Sequence, residues 1–181
     1  MENPSSESAL AWESARLTAQ LLGPGHEPLL QAVFEAARDH FQRTTGRASP
    51  DPDAAGREIR ACAATPGRDV AILSLREDGE PVGTLGWWAG NPEPEVALLG
   101  IVLVVPEHRG KGLAREAVAG LEGWLAEREI RRLRTAVGAT DFPTHALLRA
   151  LGFTEMSIRD HTALGMAGVN LALFEKLLHS R

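Results

Sequence analysis

The reading of the fold turns on residues 102–115, Val102-Leu103-Val104-Val105-Pro106-Glu107-His108-Arg109-Gly110-Lys111-Gly112-Leu113-Ala114-Arg115. The first four are apolar and mostly β-branched, which suits a buried strand. Pro106 stops it, because proline has no N–H to give to a ladder. Gly110 and Gly112 make a turn, and from Gly112 the pattern becomes helical. Leu113, Ala117, Leu121, Trp124 and Leu125 fall on one side of a helix predicted over 112–128. The stretch therefore reads as strand, glycine-rich loop, helix.

Outward from it, Val96–Val105 is the most apolar run in the chain and is expected to be a central strand. Before it, 70–75 and 81–88 read as a hairpin joined at Asp78-Gly79. Further upstream, 16–21 alternates like a strand. Apolar residues at Leu29, Leu30, Val33, Phe34, Ala37 and Phe41 mark an amphipathic helix over 27–42, and 53–64 a second. Downstream come a strand at 133–137, a short helix at 143–151, a strand opening at Gly152-Phe153 and running to Ile158, and a last strand at 169–177. Residues 1–13 are polar and are expected to be a flexible tail, with 14–181 as the folded domain. The order β-α-α-β-β-β-α-β-α-β-β is that of a mixed α/β domain, a mostly antiparallel central sheet flanked by helices.

Composition narrows the function. The 181 residues carry a net charge of -5, so a nucleic-acid or anionic-membrane partner is not expected. The basic cluster of Arg128 and Arg131–Arg134 reads as a solvated helix end and strand start. Cys62 is the one cysteine, which excludes an internal disulfide and a cysteine-built zinc site; no metal is expected. With no apolar run long enough to span a bilayer and no leader-like N-terminus, a cytoplasmic protein is expected.

The loop carries the chemistry. A helix N-terminus leaves backbone N–H groups without partners, and the helix dipole is positive there. Together they favour an anion such as a pyrophosphate. Glycines let the backbone come close, and Arg109, Lys111 and Arg115 add charge. A Walker loop is ruled out, because Lys111 is followed by Gly112 rather than Ser or Thr. The dinucleotide fingerprint lacks one of its three glycines.

The segment resembles the cofactor loop of the GNAT superfamily of acyl-CoA N-acyltransferases, whose pattern of Gln or Arg, two residues, Gly, one residue, Gly or Ala is met by Arg109, Gly112 and Ala114. Val102 to Pro106 and the later Leu147-Leu148-Arg149-Ala150-Leu151-Gly152-Phe153 are also similar to the family's segments, and the element order agrees. The resemblance implies acetyl-CoA or a related acyl-CoA as cosubstrate. It places the pantetheine arm on Val102, Leu103 and Val104, which would splay from the next strand, and the pyrophosphate on Gly110, Lys111, Gly112, Leu113, Ala114 and Arg115. It implies transfer to a primary amine, on a small molecule or a protein, by direct attack on the thioester, with a homodimer possible.

The pattern departs where relatives carry an Asn and, seven residues on, a proton-donating Tyr. Those positions are Asp141, which the resemblance places among the cofactor-binding residues, and Leu148, and the chain has no tyrosine. His145 shares a helical face with both and is the expected substitute, a histidine that titrates near neutral pH. Glu93, Glu95 and Glu107 are candidate bases near the central strand. Trp87 and Trp88 point to opposite faces, one expected in the core and the other able to line an acceptor pocket. Two further classes fit the loop: an acyl-CoA-binding regulatory module without efficient transfer, and a nucleotide-binding regulatory domain.

Overall fold

The computed structural model describes residues 9–163, 168 and 170–179. Its strands are β1 (Leu10–Glu13), β2 (Leu17–Leu21), β3 (Arg68–Leu75), β4 (Pro81–Ala89), β5 (Val96–Val104), β6 (Arg132–Gly138), β7 (Thr154–Glu155) and β8 (Leu171–Leu177). They form one eight-stranded sheet in the order β1-β2-β3-β4-β5-β6-β8-β7. Every neighbouring pair is antiparallel except β5 and β6. The helices are α1 (Glu27–Ala36), α2 (Arg38–Thr45), α3 (Ala54–Ala64), α4 (Leu113–Ala126), α5 (Phe142–Ala150) and α6 (Ile158–Ala163).

Both faces of the sheet are covered, which explains the apolar run of β5. Val104 joins Leu85, Leu121, Leu125, Leu148 and Phe174 in one core, under α4 and α5. Leu103 and Val105 point the other way, into a core with Leu30, Phe34, Ile59 and Ile72 under α1 and α3. Each buried leucine-sized side chain contributes about 1.5–3 kcal/mol relative to exposure.

Three expectations need correction. The single helix predicted over 27–42 is two, because Ala37 leaves the helical region (φ -106°, ψ 43°) while its N–H still reaches the Val33 and Phe34 carbonyls. Apolar spacing continues through the break, so periodicity could not show it. Second, Leu10–Glu13 is not tail; it pairs with β2, because Trp12 buries its ring against Trp87 and Trp124 at centroid distances of 5.7 and 6.3 Å. Residues 1–8 of the expected tail, and Val169 of the last strand, lie outside the described residues. Third, the strand expected to run to Ile158 ends at Glu155, and α6 follows. Ser157 and Asp160 cap it reciprocally: Ser157 N–H donates to Asp160 Oδ2 (2.8 Å) and Asp160 N–H to Ser157 Oγ (3.3 Å). That Ser-x-x-Asp pattern is a helix-start signal that outweighs the weak strand propensity there.

Candidate active site

The site opens where β5 and β6 part. They pair over only three positions, Val96↔Arg132, Ala97↔Leu133 and Leu98↔Arg134. One residue on, the buried hydroxyl of Thr135 donates to the Leu99 carbonyl at 2.8 Å and closes the crotch. Beyond that point β5 stays paired to β4 and β6 stays paired to β8, so among the described residues their facing edges are left without strand partners. A register shift at Gly100, between Leu99 and Ile101 against β4, sits at the start of the gap. Such a bulge bends and twists the strand that carries it.

Two clefts occupy the gap. One, of about 650 Å³, runs between Leu99, Gly100 and Val102 on β5, Thr135 to Gly138 on β6 and the face of α5 bearing Leu148. The other, of about 460 Å³, is bounded by Val102, Leu103 and Val104, by the loop and by the start of α4. His40, Arg43, Val102, Thr144, Leu147 and Leu151 border both.

The loop has the form the sequence suggests. Gly110 and Gly112 both have positive φ, 73° and 80°. Among the described residues no side chain caps α4, so its first amides are left without a side-chain partner, and Leu113, Ala114 and Arg115 that carry them border the cleft. Arg109, Gly110, Gly112, Leu113, Ala114 and Arg115 border that cleft. Lys111 does not; its carbonyl accepts from the Arg16 guanidinium at 2.9 Å.

Two clasps hold the loop, and sequence reasoning found neither. Arg109 donates through Nε to the Val104 carbonyl (2.8 Å) and through both terminal nitrogens to Asp39 on α2, the Nη2 contact at 2.9 Å. That pairing holds the Asp39 carboxyl below its ordinary value. Glu116, in the first turn of α4, accepts from Ser14 Oγ (2.7 Å), from the Arg16 N–H (2.7 Å) and from the Arg16 guanidinium (2.6 and 2.7 Å). Burial pushes the Glu116 carboxyl up, but these bonds outweigh it and the net shift is downward. Because the folded value lies below the unfolded one, this stability is present above pH 4.5 and is lost as pH falls through the folded value. Glu116→Ala should therefore cost about 2 kcal/mol at pH 7 and lower Tm by roughly 4–8 °C, the half-exposed Arg16 limiting the loss. Thermal melts from pH 7 to pH 3 check it: the gap between the two proteins should narrow below about pH 4.

The later helix differs from expectation. Asp141 caps α5, its Oδ2 accepting from Thr144 Oγ1 at 2.6 Å and its Oδ1 from Thr144 N–H at 3.3 Å. Burial pushes the Asp141 carboxyl up, yet the Thr144 bonds and the nearby Arg43 and His145 bring it below its ordinary value. Leu148 borders the larger cleft and is buried. His145 does share the stripe with Asp141 and Leu148, but it is only 4% exposed and borders neither cleft. Its Nε2 donates to the Gly138 carbonyl at 2.9 Å and its ring meets Phe174 edge-on at 5.1 Å. The expectation of proton transfer at His145 is therefore corrected: the ring ties α5 to the end of β6. Glu93, Glu95 and Glu107 border neither cleft, and Glu93 pairs with Arg134 at 3.4 Å. Trp87 is core, as expected of one of the pair, while Trp88 turns its Nε1 to the Pro66 carbonyl at 3.2 Å, away from both clefts.

A splayed strand pair above a glycine-lined helix start with no side-chain cap is an arrangement able to take an extended, amide-bearing molecule along a sheet edge and an anion at the helix N-terminus. Comparison agrees. Residues 29–153 match the Acetyltransferase (GNAT) family, and the chain belongs to it. It is an acyl-CoA-dependent N-acyltransferase by family and fold. A solved acetyltransferase from Thermus thermophilus is 26% identical, with a TM-score of 0.76 over 94% of this chain and 100% of that one. RimL, the ribosomal L7/L12 alpha-N-protein acetyltransferase solved with coenzyme A, shares the fold at 14% identity and TM-score 0.74, covering 96% and 100% of the two chains. The GNAT domain of S. lividans PAT does so at 16% identity and TM-score 0.70, covering 98% and 100%. No curated protein matches the chain in sequence. Among the described residues no helix is long and apolar enough to cross a membrane.

Proposed function

We propose that this enzyme moves an acetyl group from acetyl-CoA to a primary amine by direct attack of the amine on the thioester. The observation that carries the reading is the gap between β5 and β6. Its unpaired edges run from Thr135 toward the free amides of α4, so one extended molecule can satisfy both. Val102, Leu103 and Val104 would pair with the pantetheine amides, and Gly110 to Arg115 would hold the pyrophosphate. Arg109 and Arg115 supply charge beside it. Asp141, itself on the wall of the larger cleft, would take part in holding the cofactor and fixes Thr144 beside it. Bound there, the thioester supplies an activated acyl carbon. The chain's own residues orient it, and the apolar wall of Leu99, Leu148 and Leu151 keeps water from it.

A cleft of about 650 Å³ is the size of a small-molecule site, which favours a small amine acceptor. RimL acts on a protein α-amine, so a peptide N-terminus belongs among the acceptors tried. A reducing, cytoplasmic setting suits a chain whose one thiol, Cys62, is unpaired and pushed up to about 12 by burial.

Calorimetry with CoA and acetyl-CoA, then thiol release from acetyl-CoA with ethanolamine, phenethylamine, spermidine and an alanyl peptide, tests the reading. Micromolar CoA binding and thiol release with at least one amine are expected. CoA binding with no release from any amine would favour the regulatory module, a reading that the apolar Leu148 in place of a proton donor keeps in play.

A further inference from the structure

We propose that His40 is the catalytic base, taking a proton from the acceptor amine where the two clefts meet. The inference rests on the acyltransferase reading above and adds to it the group that reading lacks. His40 sits on α2, just past the break at Ala37. It borders both clefts, and also a third hollow of about 370 Å³ on the α3 side, with Phe41, Glu58 and Ile101. A group in that position faces cofactor and acceptor at once.

Its competitors are committed elsewhere. Among the described residues Asp141 is the one carboxylate bordering the larger cleft, and both its oxygens accept from Thr144. His108 borders only the loop end, and its Nε2 lies 3.3 Å from Glu80. His145 is bound to Gly138. Among the described residues neither ring nitrogen of His40 has a hydrogen-bond partner, so a lone pair is open to a ligand. Its ring is steadied by an edge-on contact with Phe41, 5.4 Å between centroids.

The surroundings keep that lone pair available. Burial lowers the imidazole below its ordinary 6.5, and Arg43 and Arg109 lower it further; Asp39 and Asp141 pull the other way without prevailing. Arg57, Glu58 and Arg68 face it across the third hollow, and His108 and Arg115 across the loop cleft. The ring is therefore neutral at pH 7 and able to accept.

The acceptor nitrogen arrives as an ammonium. His40 takes one of its protons and returns it to solvent. The freed lone pair then bonds to the acyl carbon as the carbon–sulfur bond breaks, and the second nitrogen proton ends on the sulfur. One ammonium and one thioester give one amide, one thiol and one released proton.

The test uses the full chain, acetyl-CoA and whichever amine of the panel turns over. His40→Gln should lower kcat/KM by about 10²-fold or more and remove an acid limb with its inflection below pH 6.5. His40→Ala should regain rate with added imidazole, which a structural role would not allow. In the unaltered protein the ring itself should titrate below 6.5 by NMR. An active parent whose His40→Gln keeps its rate and acid limb overturns the assignment alone, as does a ring that titrates at or above 6.5. A parent that releases no thiol with any amine overturns the acyltransferase reading, and this one with it.

Discussion

Arg109→Ala is expected to weaken CoA binding about tenfold, equivalent to about 1.4 kcal/mol, while leaving the chain folded. The guanidinium joins three things: the Val104 carbonyl at the end of β5, the glycine loop, and Asp39 on α2. The ion pair is half exposed at both ends, so by itself it contributes little to stability. Its effect is on position, because α2 also carries His40 and Arg43, which border both clefts. Arg109→Lys separates geometry from charge. Lysine keeps the charge but cannot reproduce the fork that grips both Asp39 oxygens. It should lose most of the affinity if the clasp matters, and little if Arg109 acts only as a charge beside the pyrophosphate. Asp39→Asn should show a smaller loss than Arg109→Ala, since the Nε bond to Val104 survives. None of this should vary with pH between 5 and 8. Asp39 has its folded value lowered, so its pairing is complete above the ordinary 3.8 and fails only as pH falls below that.

Gly83→Ala is expected to be among the most damaging single changes in the chain. Gly83 lies opposite Val104 in the β4–β5 ladder, and a Cβ there would stand 2.2 Å from the Leu103 carbonyl oxygen and 3.3 Å from the Val104 Cα. Both are backbone atoms and cannot rotate aside. Either β5 moves off β4 or the alanine is not accommodated. A loss of about 3 kcal/mol is expected, a Tm lower by roughly 6–12 °C, together with weaker CoA binding because Leu103 and Val104 are displaced. Gly100→Ala is the control on the same strand pair. Its Cβ would find nothing nearer than the Gly86 carbonyl at 3.8 Å, so stability should be nearly unchanged. Equal melting temperatures for Gly83→Ala and the parent would show that the sheet gives way at no cost.

The strand, loop and helix start that the proposed cofactor site uses were legible because they are local. Glycine spacing, the proline stop and the change from a run of β-branched residues to helical spacing all lie within fourteen residues, and they give the strand, the turn and the helix start where the structure has them. The proton-transfer half was not, because it depends on side-chain direction and on distant contacts. His145 has the helical phase of Leu148, yet its ring passes behind the cleft wall to reach Gly138. His40 sits in an apolar-periodic segment whose break at Ala37 leaves no trace in the pattern. Lys111 looks like part of a cationic loop, but its carbonyl is claimed by Arg16, ninety-five residues earlier. Gly112 shows the limit in another way. Its spacing suggests close approach to a ligand, while its φ of 80° means that a branched residue there would strain the turn whether or not a ligand is bound.

The three-position seam between β5 and β6 bears on more than cofactor placement. Strands β1–β5 and β6–β8 are two leaves of one sheet joined by Val96–Leu98, Arg132–Arg134 and the Thr135 bond. Everywhere else along that line a ladder is interrupted, and a bound molecule that pairs with both edges restores it. Occupancy and cohesion of the two leaves are then thermodynamically linked: at a ligand concentration a hundred times Kd the folded state gains about 2.7 kcal/mol. Slowed amide exchange should appear along Gly100–Val104 and Ala136–Gly138 together, on ligand addition, rather than at the loop alone.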